Sequence, residues 1–209
     1  MYIVFEGLDN SGKSTYIEQL NNLIKNDPSM PKVVNVVEPG TTEVGKQLRT
    51  ILKHSVEKID PITDRLLFMA ARNQTLRNEV EPALNEGCVV ISDRSYISTY
   101  AYQGFEYTTA LADMIKVIIP DIVIYMNTPV DVCLARRDGE FDRIETRDMT
   151  FYKGVQERYD IVLKQLPDKT SVWHFSGEST DPETIKQNAE NMYLSLKRYI
   201  EHMGTVTKK

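Results

Sequence analysis

Apolar positions along this chain fall into two kinds of run. Five are short and continuous: Tyr2–Phe5, Val33–Val37, Cys88–Ile91, Ile122–Met126 and Val172–Phe175. They are rich in Val and Ile and are not broken into polar alternation, the pattern of strands covered on both faces. Between them apolar residues recur at helical spacing. Leu20, Leu23 and Ile24 share one such stretch. Phe151, Val155, Tyr159, Val162 and Leu166 mark a second, from Phe151 to Leu166. Ile185, Ala189, Met192, Leu196, Ile200 and Met203 mark a third, from Glu183 to Met203, with Asp181 and Pro182 as its cap and first turn.

Strand and helix alternate from end to end. That order predicts an α/β fold, a doubly wound five-stranded parallel sheet with helices on both faces. No repeat, low-complexity tract or domain-separating linker interrupts it, so residues 1–209 are expected to form a single domain. Pro28–Pro31 and Pro167–Lys169 read as turns, and Gly204–Lys209 as a frayed tail.

Composition narrows the field. The chain is 41% hydrophobic and 26% charged, with a net charge of −5, so no global basic field points to nucleic acid or an anionic membrane. An anionic ligand would need positive groups gathered locally. Cys88 and Cys133 lie in apolar stretches without metal or redox spacing, and are expected to be buried reduced thiols. No apolar run approaches the ~18 residues of a membrane span, and the N-terminus carries no signal-type pattern, which leads to an expectation of a cytoplasmic protein.

One motif changes the picture. Gly7-Leu8-Asp9-Asn10-Ser11-Gly12-Lys13-Ser14 follows the first strand and opens a helix. Glycines at this spacing let backbone N–H groups turn inward around phosphate oxygens, and the helix N-terminus adds a favourable dipole. Lys13 reaches the outer phosphates and the Ser14 hydroxyl suits Mg²⁺. Gly7, Asn10, Ser11, Gly12, Lys13, Ser14 and Thr15 are the candidate ATP-binding residues. A regulatory GTPase would need a guanine-reading Asn-Lys-x-Asp, and the chain has none. Instead the third strand runs into Asp93-Arg94-Ser95. Asp93 suits Mg²⁺, directly or through water, and Arg94 suits a second phosphate through its planar fork.

These and three further segments resemble the thymidylate (dTMP) kinases, within the nucleoside monophosphate kinases. FEGLDNSGKST resembles their opening, EPGTTEVGKQLR their EPGGT-type segment and LLFMAAR their LF-x-A-x-R stretch. DRSYISTYAYQG resembles their DR…S…AYQG segment, and RRDGEFDRIE their bacterial-type lid, here about residues 136–149. The resemblance implies transfer of the ATP γ-phosphate to dTMP, with Mg²⁺, in a homodimer. It implies that Phe68 stacks on thymine, Arg72 donates to a base carbonyl, and Asp9 accepts from the sugar 3′-hydroxyl. Arg94 would grip the acceptor phosphate, while Ser98, Thr99, Tyr102 and Gln103 line the nucleoside pocket with Glu38, Pro39 and Arg49. Lys13, Arg94 and a lid arginine, Arg137 or Arg143, would carry catalysis, with Arg136 on ATP. Departures are Val37, where the family often has Arg, and Thr41, where it has a second Gly.

Other readings differ in chemistry. A deoxynucleoside kinase would use Glu38 as a base on a 5′-hydroxyl, and a broader kinase would accept several deoxynucleoside monophosphates. A non-catalytic P-loop module would hold nucleotide without transfer.

Overall fold

The structure, a computed structural model, describes residues 1–104, 115, 117–137 and 147–206. Five parallel strands form one sheet in the order β2-β3-β1-β4-β5. They are β1 (Tyr2–Gly7), β2 (Val33–Val37), β3 (Val89–Asp93), β4 (Ile122–Met126) and β5 (Ser171–Phe175). The helices are α1 (Lys13–Lys25), α2 (Glu43–His54), α3 (Pro61–Thr75), α4 (Glu81–Asn85), α5 (Tyr96–Gln103), α6 (Val130–Ala135), α7 (Met149–Lys164) and α8 (Pro182–Val206). The expected α/β sheet is therefore observed. No helix among the described residues is long and apolar enough to cross a membrane.

The central strands β1, β3 and β4 are buried on both sides, so the middle of the sheet is dry on either face. Ile3 and Phe5 join Ile91, Ile122 and Ile124 beneath α1 and α8, where Leu20, Ile24, Met192 and Leu196 complete the layer. Tyr2 and Val4 face the other way, with Val90, Val123 and Tyr125, and meet Ile97, Val155 and Tyr159 from α5 and α7. Burying each such side chain contributes about 1.5–3 kcal/mol. Both cysteines are buried and unbridged, as expected.

Local signals set the ends. Asp148 caps α7 by accepting from Phe151 N at 2.8 Å, so that helix begins two residues before the expected Phe151. Asp181 accepts from Thr184 N at 2.9 Å, the cap the sequence predicts for α8.

Two strands outrun their predicted ends. β1 continues through Glu6 to Gly7, because the Glu6 carboxylate is satisfied in the interior: Ser95 and Ser98 donate to it at 2.6 Å and Tyr159 at 2.9 Å. β3 extends to Asp93, which pairs in register with Phe5. The carboxyl ends of β1, β3 and β2 thus deliver Gly7, Arg94 and Glu38 to one edge of the sheet. Arg94 N donates to Phe5 O at 2.9 Å, and Glu38 N to Asp93 O at 3.0 Å. Ligands of open α/β sheets gather at such an edge.

Candidate active site

The P-loop is shaped by its glycines. Gly7 has φ 137°, and a Cβ there would lie 2.7 Å from the Met126 carbonyl oxygen. Gly12, at φ 96°, turns the chain into α1 and leaves the first helical N–H groups open to an anion. Lys13 folds back over the loop and donates to Leu8 O at 2.6 Å. Burial removes its water and Arg94 adds positive charge nearby, so its pKa is lowered from 10.5 to about 8.

A cavity of about 450 Å³ borders this loop, walled by Asn10 to Tyr16 together with Arg136, Gly177, Ser179 and Thr180. Arg136 ties its far wall together, donating to Gly177 O at 2.7 Å, Glu178 O at 2.6 Å and Asn10 O at 3.3 Å. Thr128 braces the loop from behind. Its hydroxyl donates to Ser11 O at 2.9 Å and accepts from Gly177 N at 3.0 Å.

Ser14 borders this cavity, and its Oγ lies 3.5 Å from Asp93 Oδ2 at the end of β3. Asp93 Oδ1 is buried without a hydrogen-bond partner. A hydroxyl beside an unpartnered carboxylate oxygen is a hard-oxygen donor set that fits Mg²⁺. No group of three or more His, Cys, Asp or Glu side chains placed to hold a metal ion occurs among the described residues. A cation that keeps most of its waters and takes phosphate oxygens does not require one.

Arg94 lies at the boundary between this loop and a second cavity. It adopts φ 75°, rare for a residue with a side chain, and its guanidinium is ringed by acceptors. Nη1 donates to Gly7 O at 2.9 Å, Ser98 Oγ at 3.1 Å and Tyr159 Oη at 3.3 Å. Nη2 donates to Asp9 Oδ1 at 2.6 Å and Tyr102 Oη at 3.3 Å. The Tyr102 ring lies 5.0 Å beneath the charge, and Tyr102 also donates to Asp9 Oδ2 at 3.0 Å. Burial alone would raise Asp9, but Arg94 and Lys13 overcome it and hold Asp9 at about 2.

The second cavity measures about 610 Å³, and every residue expected on the acceptor side lines it: Asp9, Glu38, Pro39, Arg49, Phe68, Arg72, Arg94, Ser98, Thr99, Tyr102 and Gln103. Arg49 Nη1 donates to Pro39 O at 2.7 Å, fixing the loop after β2. Phe68 is half-buried and borders the cavity instead of filling the core. Arg72, expected to want a partner, has three. It donates to Glu38 Oε2 at 2.5 Å, Thr99 Oγ1 at 2.8 Å and Ser95 O at 2.8 Å. Glu38 Oε1 is left without a partner, and burial, opposed by Arg72, raises the Glu38 pKa. The Thr41 hydroxyl accepts from Val37 N at 2.7 Å and donates to Val37 O at 2.9 Å, so the two departures from the family pattern bond to each other.

The lid residues divide. Arg136 reaches the P-loop cavity. Arg137 instead stacks over the Tyr152 ring at 4.6 Å and donates to Arg147 O at 3.2 Å, and it belongs to neither cavity wall. Arg143 lies outside the described residues, as does most of the expected lid. Sequence reasoning missed Glu6, Tyr159, Thr128, Gly177, Arg65 and Arg147, of which the last two also line the acceptor cavity.

The thymidylate kinase family model matches residues 5–180, which include both cavities' motifs. The chain belongs to the thymidylate kinase family. It is 33% identical over 207 residues to the thymidylate kinase of Kosmotoga olearia, covering 95% of this chain and 98% of that one. It is 36% identical over 174 residues to that of Caldicellulosiruptor saccharolyticus, covering 79% and 84%. Among solved structures, the thymidylate kinase of Ehrlichia chaffeensis superposes with a TM-score of 0.73 at 27% identity, over 94% of this chain and 98% of that one. This family membership makes the chain a nucleotide kinase, a phosphotransferase of nucleotide biosynthesis.

Proposed function

We propose that this protein transfers the γ-phosphoryl group of ATP to dTMP, giving dTDP and ADP. The observation that carries the reading is the bond from Arg94 Nη1 to Gly7 O at 2.9 Å, which couples the arginine facing the acceptor cavity directly to the donor loop. An acceptor phosphate on Arg94 and a triphosphate on the P-loop are thereby held in one geometry, which is most of what phosphoryl transfer asks of a protein.

A dTMP phosphate oxygen attacks the γ-phosphorus as the bond to the β,γ-bridging oxygen breaks, and the electron pair leaves with ADP. The attacking group is already an oxyanion, so no general base is needed. Lys13 and Arg94 stabilise charge spreading over the transferring group. Ser14 and Asp93 would hold Mg²⁺, which when bound supplies neutralisation of the donor phosphate oxygens. Arg136 contributes to the ATP cavity, and Arg137 or Arg143 of the lid segment 136–149 would add positive charge to the transferring group in a single-domain enzyme. Asp9 takes the 3′-hydroxyl, Phe68 the ring face, and Arg72 a base carbonyl.

The deoxynucleoside-kinase reading is disfavoured by the match to the thymidylate kinase family over residues 5–180. A homodimer is supported by Val44, Ile51, Ile62 and Leu66, all exposed on the packed α2–α3 pair. A cytoplasmic location fits the absence of a membrane-spanning helix among the described residues. The test is ADP release from ATP·Mg²⁺ with dTMP, dUMP, dCMP, dGMP, UMP and thymidine as acceptors. Turnover concentrated on dTMP is the expected result. Comparable turnover of several monophosphates would overturn narrow specificity, and turnover of thymidine alone would restore the rival.

A further inference from the structure

Helix α3 presents Arg65, Phe68 and Arg72 at spacings that bring them to one face, and all three line the acceptor cavity. Arg72 forms the rung to α5 already described, through Thr99. Arg65 forms a second rung toward the helix N-terminus, donating from Nη2 to Gln103 O at 2.5 Å. Arg65 is only 6% exposed, and its Nε has no hydrogen-bond partner. Beside it the Gln103 amide is oriented by Asp64: Nε2 donates to Asp64 Oδ2 at 2.7 Å, and Oε1 is left buried and unpartnered. A buried guanidinium N–H without an acceptor is costly, and structures retain such a group where something else completes it.

We infer that Arg65 is a specificity-determining residue that donates to the second ring carbonyl of the acceptor base, with Gln103 Oε1 accepting from the ring N–H between the two carbonyls. This rests on the dTMP reading given above. A pyrimidine 2,4-dione presents acceptor, donor and acceptor along one edge. Arg72, Gln103 Oε1 and Arg65 Nε supply donor, acceptor and donor. Reaching both carbonyls asks for donors roughly 9–10 Å apart once a hydrogen bond is added at each end. Arg65 and Arg72 stand seven residues, about two turns, apart on one face of α3, so long side chains from both can address the two ends of one base edge. Cytosine, with an amino group in place of one carbonyl and no N–H between, would oppose donor to donor and acceptor to acceptor.

The experiment compares kcat/KM for dTMP, 2-thio-dTMP and 4-thio-dTMP in the wild type and in Arg65→Met. Sulfur is a poor acceptor, so each analogue weakens one carbonyl contact and spares the other. The wild type should disfavour both analogues by about tenfold or more. Arg65→Met should lose its discrimination against one analogue and keep it against the other. A merely structural arginine would lower all three substrates by a common factor and leave both ratios unchanged, which overturns the inference. So does a wild type indifferent to either analogue, a measurement independent of any variant. Arg65→Leu serves in the same comparison if circular dichroism finds the Met variant unfolded. An enzyme without turnover of dTMP itself overturns the proposed function, and this inference falls with it.

Discussion

Arg94 Nη2 donates to Asp9 Oδ1 at 2.6 Å, joining the P-loop to the end of β3 across 85 residues of sequence. The pair is only partly shielded from water, so its value lies less in stability than in aim. Asp9 pulls the fork of Arg94 toward the loop, while Gly7 O, Ser98 and Tyr159 fix its other nitrogen. Asp9→Asn keeps the shape and removes the charge. It should lower kcat/KM for dTMP by about 10–100-fold, the usual loss for a hydrogen bond to a charged group. Preference for dTMP over its 3′-deoxy analogue should shrink in the same variant. Steady-state kinetics with both acceptors checks this, and an unchanged kcat/KM would refute it.

Lys13 carries a pH signature. With its pKa lowered to about 8, first by burial and then by Arg94, the ammonium is charged below that value and loses its proton above it. Only the charged form attracts phosphate, so kcat/KM for ATP at saturating dTMP should fall as pH rises through about 8, nearing tenfold per pH unit beyond. Lys13→Arg stays charged and should flatten that limb at a reduced rate. A wild-type profile level between about pH 7 and about pH 9.5 would remove Lys13 from its assigned role.

The strands were legible because a sheet covered on both faces needs apolar residues at every position, a pattern visible without any contact map. The P-loop and Asp93-Arg94 were legible because phosphate and Mg²⁺ restrict the residue types that can serve them. Glu6 was not. A carboxylate reads as a strand end, and its burial depends on hydroxyls from Ser95, Ser98 and Tyr159, the last 153 residues away. Arg65 was missed for a related reason: a charge on a helix reads as a solvated face, and only packing against α5 turns it inward. The sequence reads Arg136 as an ATP contact and Arg137 or Arg143 as the catalytic lid arginine, yet the end of α6 sends Arg136 to the P-loop and Arg137 onto Tyr152, a division that depends on the helix end and not on residue type.

Arg72 and Glu38 are nearly fully buried, with 5% and 3% of their side chains exposed. Burial raises the Glu38 pKa and Arg72 is the main force opposing that rise, so Arg72→Met leaves the carboxylate unpaired. Breaking a buried pair in this way should cost about 3–5 kcal/mol at neutral pH. A carboxyl whose folded pKa is raised binds its proton more tightly in the folded state, so stability falls as pH rises above the unfolded value. The deficit of Arg72→Met should therefore be larger at about pH 8 than at about pH 5. Urea unfolding at the two pH values measures it, and equal deficits would show that Glu38 does not respond to its partner.

Gly177 offers the sharpest steric test of how the ATP cavity is built. A Cβ there would lie 2.0 Å from Ser11 O and 2.8 Å from Thr128 Oγ1. Neither neighbour is a flexible side-chain end free to swing away, because the Thr128 hydroxyl is itself bonded to both Ser11 O and Gly177 N. Gly177→Ala must therefore displace the P-loop backbone or the loop after β5. Overpacking of this kind costs about 1–3 kcal/mol of stability. The catalytic cost should be one-sided: a KM for ATP raised about tenfold or more, with dTMP affinity by calorimetry unchanged because the acceptor cavity does not touch Gly177. Gly87→Ala is the control. Gly87 also has a positive φ, 78°, but nothing lies within 4 Å of its would-be Cβ. That variant should show backbone strain in its melting temperature and no change in KM for ATP, which separates the wedge against the P-loop from the general penalty of replacing a glycine. If both variants bind ATP like the wild type, the loop after β5 does not set the shape of the donor site.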